Sequence, residues 1–247
     1  MNVFIKISKA LFAVYAILIV ALSCFIVIPA YLIIFNFSSK KKSPFIAHKV
    51  SRFWAKFLFT FFFIRIDIKG REYIKPEQAY IFVCNHNSSL DIPLFATACI
   101  NTFRFLSKIE VTKFPIIGYV VKKLYITVDR KSRADSAKSI ERMKSSLTEE
   151  GISVVLFPEG HRNTTDKPLL AFKDGAFRLA IETQLPIAVL TILNTRDFLP
   201  SDKFEMKPGI IRAVWSEPIE TKGLTLTDLP ALKEKVKDVL LRNLPRT

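Results

Sequence analysis

The chain has 247 residues, half of them hydrophobic, with 37 Lys+Arg against 22 Asp+Glu for a formal net charge of +15. That length holds one sizeable domain or two small ones, and the composition excludes a disordered, collagen-like or coiled-coil chain. A chain both apolar and strongly basic calls for an anionic partner, either a phospholipid surface or nucleic acid.

The charge is unevenly placed. Residues 1–69 hold ten Lys/Arg and a single acid, Asp67, and 12 of the 22 Phe fall before residue 64. Positive charge and aromatic surface in one short region point to a membrane; nucleic-acid binders spread basic residues over a polar face. Cys24, Cys84 and Cys99 form no C-x-x-C pair and read as buried, inert thiols of a reducing compartment. His48, His86 and His161 have no metal-ligand spacing, so no metal site is expected.

Residues 10–39 carry no charge. As a helix they span about 45 Å, against about 30 Å for a bilayer's hydrocarbon core. Pro29 is expected to kink or break that helix. Lys6 and Lys9 precede it and Lys40, Lys41 and Lys42 follow, so flanking charge assigns no orientation. Ser43-Pro44 suits a second helix start. There Lys49, Arg52 and Lys56 recur on one face, while Ile46, Val50, Phe53, Trp54, Phe57 and Phe61 fill the other, as in a helix lying in the interface. Residues 1–63 therefore read as a two-helix hairpin anchored in one leaflet. The alternative is one spanning helix followed by a helix packed on the domain.

From Ile64 the period changes to strand-like alternation, ended by Gly70. Further strands are predicted over 79–84, 103–107, 125–128, 152–157, 186–193 and 209–216. Helices are predicted over 90–99, 111–123, 134–149, 174–184 and 228–243. In 134–149 the stripe Ala137, Ile140, Met143 and Leu147 marks the buried face, and Thr227-Asp228 is positioned to cap the last helix. Residues 64–247 thus read as one α/β domain, a largely parallel sheet flanked by helices.

Chemistry in such a sheet gathers where strands end. Asn85-His86-Asn87-Ser88-Ser89-Leu90-Asp91 follows one strand, Phe157-Pro158-Glu159-Gly160-His161-Arg162 another, and Asp129-Arg130 a third. His86 and Asp91 fit a general base and its orienting carboxylate, Asp91 reaching back from the first turn of a helix. His86 equally fits a packed histidine capping that helix. Arg162 is placed for a phosphate, which it binds bidentately, or for a surface pair with Glu159. Lys108 ends a strand facing the same crevice, or is simply solvated. Lys173-Asp174-Gly175 leads into a helix whose first amides favour an anion. No G-x-S-x-G elbow, G-x-G-x-x-G loop or P-loop is present, so hydrolase and nucleotide mechanisms lack support.

Taken together, Asn85-His86-x4-Asp91, Lys108-Ile109-Glu110 with Pro115-x-x-Gly118, Phe157-Pro158-Glu159-Gly160-x-Arg162 and Leu185-Pro186-Ile187, in that order, resemble the glycerolipid acyltransferase family. The resemblance runs from about Tyr80 to Asn194. It implies His86 as general base on an acceptor hydroxyl and Asp91 as its orienting group. It further implies Lys108 and Arg162 on a glycerophosphate, with Glu159 and Gly160 shaping that pocket. The implied reaction moves a fatty acyl group from an acyl-carrier-protein or coenzyme A thioester to the 2-hydroxyl of lysophosphatidate, with no further cofactor. The implied place is the cytoplasmic face of the inner membrane. Two positions depart from the family pattern: His161 stands where a small hydroxyl residue is usual, and Val189 where a second proline is. Another lysolipid acceptor, or a non-enzymatic module that binds anionic membranes, are the competing readings.

Overall fold

The computed structural model describes residues 3–114 and 117–245. Seven strands form one sheet in the order β1-β7-β6-β2-β5-β3-β4. They are β1 (Ile64–Lys69), β2 (Ile81–Cys84), β3 (Phe103–Lys108), β4 (Ile126–Val128), β5 (Ser153–Leu156), β6 (Ile187–Ile192) and β7 (Gly209–Trp215). β6, β2, β5, β3 and β4 run parallel, and β7 pairs antiparallel with β6, so β1 and β7 point the other way. The expected largely parallel α/β sheet is what forms.

Among the described residues seven helices accompany it: α1 (Val3–Phe37), α2 (Ser43–Phe61), α3 (Asp91–Ala98), α4 (Ile117–Leu124), α5 (Arg133–Thr148), α6 (Gly175–Thr183) and α7 (Leu229–Asn243). Alternation along β2 sorts the core into two layers. Phe82 and Cys84 face a cluster holding Ala13, Ala16, Leu58 and Phe95 of α1, α2 and α3. Ile81 and Val83 face Met143, Phe177 and Val236 of α5, α6 and α7. The N-terminal helices therefore share one core with the sheet, buried there by apolar contact.

Four expectations need correction. Pro29 does not end α1, which continues to Phe37. The proline ring lies on an exposed face, and its missing N–H removes a single helical hydrogen bond, too little to end a helix of this length. The helix expected over 111–123 is split into a 3₁₀ turn at Ile109–Lys113 and α4. Phe114 between them is extended, as the residue before a proline is biased to be; Pro115 and Ile116 lie outside the described residues. On α5 the buried residues are Ser139, Met143, Ser146 and Leu147, with Ala137 exposed. The serine hydroxyls bond the Ser136 and Ile152 carbonyls, so small polar residues bury at no hydrogen-bonding cost. The cap ahead of α7 is a box between Thr225 and Asp228 rather than Thr227-Asp228.

On α2 the basic stripe is divided. Arg52 donates to the Cys99 and Ile100 carbonyls and Arg71 to those of Thr97 and Ala98, so two cations cap the carboxyl end of α3. Trp54 turns inward and donates to Ser23 of α1 at 2.8 Å. Phe53 stays outside, 72% exposed. His48 is buried against the Phe103 ring, its Nδ1 donating to the Pro44 carbonyl at 2.8 Å. Its Nε2 has no hydrogen-bond partner among the described residues.

Burial pushes the His48 imidazole down from 6.5 to about 4. Between those values the unfolded chain binds a proton that the folded chain refuses, so stability falls as pH drops through that window. The loss should total about 3 kcal/mol. Denaturant titrations of the chain and of His48→Gln across that window should show the variant with the shallower pH dependence.

Candidate active site

The carboxyl ends of five parallel strands share one edge of the sheet. The strand order reverses about β2, which places a crevice at its end, where His86 stands. Asn85 continues the β2–β6 ladder with its side chain: Nδ2 donates to the Ile192 carbonyl and Oδ1 accepts the Ile192 N–H, both at 2.8 Å.

His86 Nδ1 lies 2.8 Å from Asp91 Oδ2. Asp91 is fully buried as the first residue of α3, where the helix dipole favours an anion. Its Oδ2 also accepts the Asn87 and Ser88 N–H groups at 2.7 and 2.9 Å, and Oδ1 accepts the Thr195 hydroxyl at 2.6 Å. An acceptor on Nδ1 assigns the proton to that nitrogen and leaves Nε2 as the basic one. The imidazole stacks on Phe157, centroids 4.1 Å apart, which fixes the ring plane. The packed-histidine alternative is met only in part: the ring is held, but His86 also lines a cavity of about 1040 Å³.

Lys108, Arg162 and Gly160 line the same cavity. Glu159 does not. It is buried behind the wall, its oxygens accepting the His86 N–H at 3.0 Å and the Leu170 N–H at 2.8 Å. Burial holds its carboxyl above the usual range, against the opposing pull of those two bonds. The surface pair Glu159–Arg162 therefore does not form, and Glu159 acts by holding the His86 backbone. Arg162 instead donates to the Ser89 hydroxyl at 2.7 Å. Gly160 has a φ of +78°, and a Cβ there would fall 2.7 Å from Lys173 Cε. That positive φ favours glycine, and the flexible end of Lys173 crosses the turn above it.

Two features escape sequence reasoning, the place of Arg130 and that of Thr195. Arg130, noted only as a strand end, donates to the Gly160 carbonyl and joins the cavity wall. Lys173, marked in the sequence ahead of a helix start, lines the cavity together with Gly175 and Ala176, the first residues of α6. Thr195 lies 104 positions from Asp91, and no local signal marks it.

A profile of the family described as Acyltransferase matches residues 65–193, just over half of the chain. The chain belongs to the acyltransferase family. Similar relatives include 1-acyl-sn-glycerol-3-phosphate acyltransferase alpha of Homo sapiens, 30% identical over 72% of this chain and 63% of its own length. Another is the 1-acyl-sn-glycerol-3-phosphate acyltransferase of Limnanthes douglasii, 32% identical over 74% of this chain and 64% of its own. The chain thus spans less than two thirds of the length of these relatives. The crystal structure of the 1-acyl-sn-glycerophosphate (LPA) acyltransferase, PlsC, from Thermotoga maritima superposes with a TM-score of 0.80 at 26% identity. That match covers 96% of this chain and 95% of the other.

In this acyltransferase-family chain Thr195→Val should leave a buried carboxylate oxygen one donor short, at a cost of about 1–3 kcal/mol. Thermal melts should fall accordingly and kcat for acyl transfer should drop roughly tenfold with KM little changed. Thr195→Ser, which keeps the hydroxyl, should restore both.

Proposed function

We propose that this chain is a 1-acyl-sn-glycerol-3-phosphate acyltransferase, joining a fatty acyl group from a thioester to the 2-hydroxyl of lysophosphatidate to give phosphatidate. The observation that carries this is His86, held from behind by the buried Asp91, on the wall of one largely apolar cavity, with Arg162 on the same wall. His86 Nε2 takes the hydroxyl proton as the oxygen attacks the thioester carbonyl. The tetrahedral intermediate collapses, the C–S bond breaks, and the imidazolium returns the proton to the departing thiolate. No acyl-enzyme forms. Arg162 and Lys108 bind the acceptor phosphate, which converts a bimolecular encounter into an oriented one. The apolar walls, including Ile140 and Met143, hold the transferred chain. The thioester of acyl-carrier protein or coenzyme A is a co-substrate, and no bound cofactor enters the chemistry.

The same reading places the protein on the cytoplasmic face of the inner membrane. α1 is long and apolar enough to cross a bilayer, with an 18-residue window of mean hydropathy 3.0. Yet it is docked at both ends. The Met206 N–H donates to the Lys9 carbonyl, and Phe35 packs edge-on to Tyr119. Crossing a bilayer would drag the loop at Met206, with its polar backbone, and the charged helix α4 toward hydrocarbon. Lying in one leaflet avoids that cost and gives lipid contact to Phe4, Phe25, Ile26 and Phe37, all more than 75% exposed.

Mass spectrometry of products from lysophosphatidate and each thioester donor in mixed micelles should show phosphatidate. His86→Ala should cost two to four orders of magnitude in rate. Product from other lysolipids alone would reassign the acceptor; equal product from both proteins would remove His86 as base. For the membrane, Lys6→Cys and Lys41→Cys in a background lacking the native thiols should label from the same side of sealed vesicles. Labelling from opposite sides would mean that α1 crosses.

A further inference from the structure

A second apolar chamber, of about 690 Å³, lies beside the first. Its size falls within the about 300–1,000 Å³ of small-ligand sites. Ala13, Ile17 and Ala21 of α1 form one wall, and Leu90, Leu199 and Phe204 another. Both chambers are bounded by Val20, Cys24, Leu58, Ser89 and Pro93, so they meet along one partition. Ser89 is the hydroxyl on that partition, and it accepts the 2.7 Å bond from Arg162.

We propose that this second chamber holds the acyl chain that the lysolipid acceptor already carries. The assignment rests on the reaction proposed above. In such an acceptor the phosphate, the reacting hydroxyl and the ester of the resident chain occupy three consecutive carbons. With the phosphate at Arg162 and the hydroxyl at His86, the resident chain has to leave the site within a few atoms of Arg162. The second chamber starts there, at Ser89. The first is committed elsewhere, because the transferred chain must bring its carbonyl to His86 and extend toward Ile140 and Met143. Two chains meeting at one base need two apolar compartments with a common polar end, and the partition of α1, α2 and α3 residues supplies them.

The second chamber also faces outward. Ile17 and Phe25, both on its wall, are 54% and 79% exposed on α1. A lipid chain held there slides in from the leaflet along α1 instead of passing through water, where each methylene adds about 0.8 kcal/mol of opposing free energy. The same opening lets a two-chain product leave sideways.

Photolabelling tests this without turnover. His86→Ala protein in mixed micelles is given lysophosphatidate with a diazirine at the end of its acyl chain, and in parallel an acyl thioester with the same group. Acceptor adducts are expected on peptides carrying Ile17, Ala21 or Leu199–Phe204, and donor adducts near Met143. Acceptor adducts near Met143, or none in the second chamber, would overturn the assignment. Phosphatidate from the native protein without such adducts removes the chamber and leaves the reaction; adducts without any product do the reverse.

Ala21→Trp gives an independent reading, since Ala21 lines only the second chamber and is exposed. It should raise KM for palmitoyl-lysophosphatidate on the order of tenfold more than for the hexanoyl form, with the order of donor preference kept. A change in donor preference in its place would mean that the chamber holds the transferred chain.

Discussion

A single buried carboxylate ties the site together. Asp91 accepts the His86 ring, the amides of Asn87 and Ser88 and the hydroxyl of Thr195, so its two oxygens join the loop after β2, the start of α3 and the loop after β6. A buried anion is costly unless every lone pair is engaged. The donors that relieve this cost also fix where His86 can stand, and that gives the imidazole its tautomer and its direction. Fold stability and catalytic geometry therefore rest on the same four bonds.

Around that centre an apolar cavity carries several cations on its wall. Arg162, Lys108, Arg130 and Lys173 stand on the wall of one cavity, and none has a carboxylate partner among the described ion pairs. Cations left unpaired beside an apolar surface favour an anionic headgroup joined to a hydrocarbon chain. The helices α1 and α2 line both chambers, so the elements that suit the leaflet are also walls of the site. On the function proposed above, membrane attachment and substrate access share one structure.

Much of this was legible in the chain. The pairing of His86 with Asp91 is local, a loop and the first helical turn, and so spacing alone predicts it. The strands were legible because fully buried β-branched runs have few other uses. Errors fell where a distant contact overrules a local pattern. Arg52 belongs to a basic helical stripe, yet it is drawn to free carbonyls at the end of α3, 47 and 48 positions away. Glu159 looks like a surface acid beside Arg162, yet two backbone amides pull it inward. On α5, serine hydroxyls with partners of their own displace Ala137 from the buried face.

The sequence by itself determined the class of fold, the order of the strand-end motifs, the pairing of His86 with Asp91 and the apolar, basic character of the first 63 residues. Each is written in neighbours a few positions apart, where periodicity, capping and short loops act. Only the tertiary structure decided that Thr195 completes the carboxylate, that Phe157 holds the imidazole, and that the cavity beside the site has a second chamber next to it. Those facts depend on residues brought together from far along the chain by the order of strands in the sheet. That order follows from how all the buried faces pack at once, and no single segment carries it.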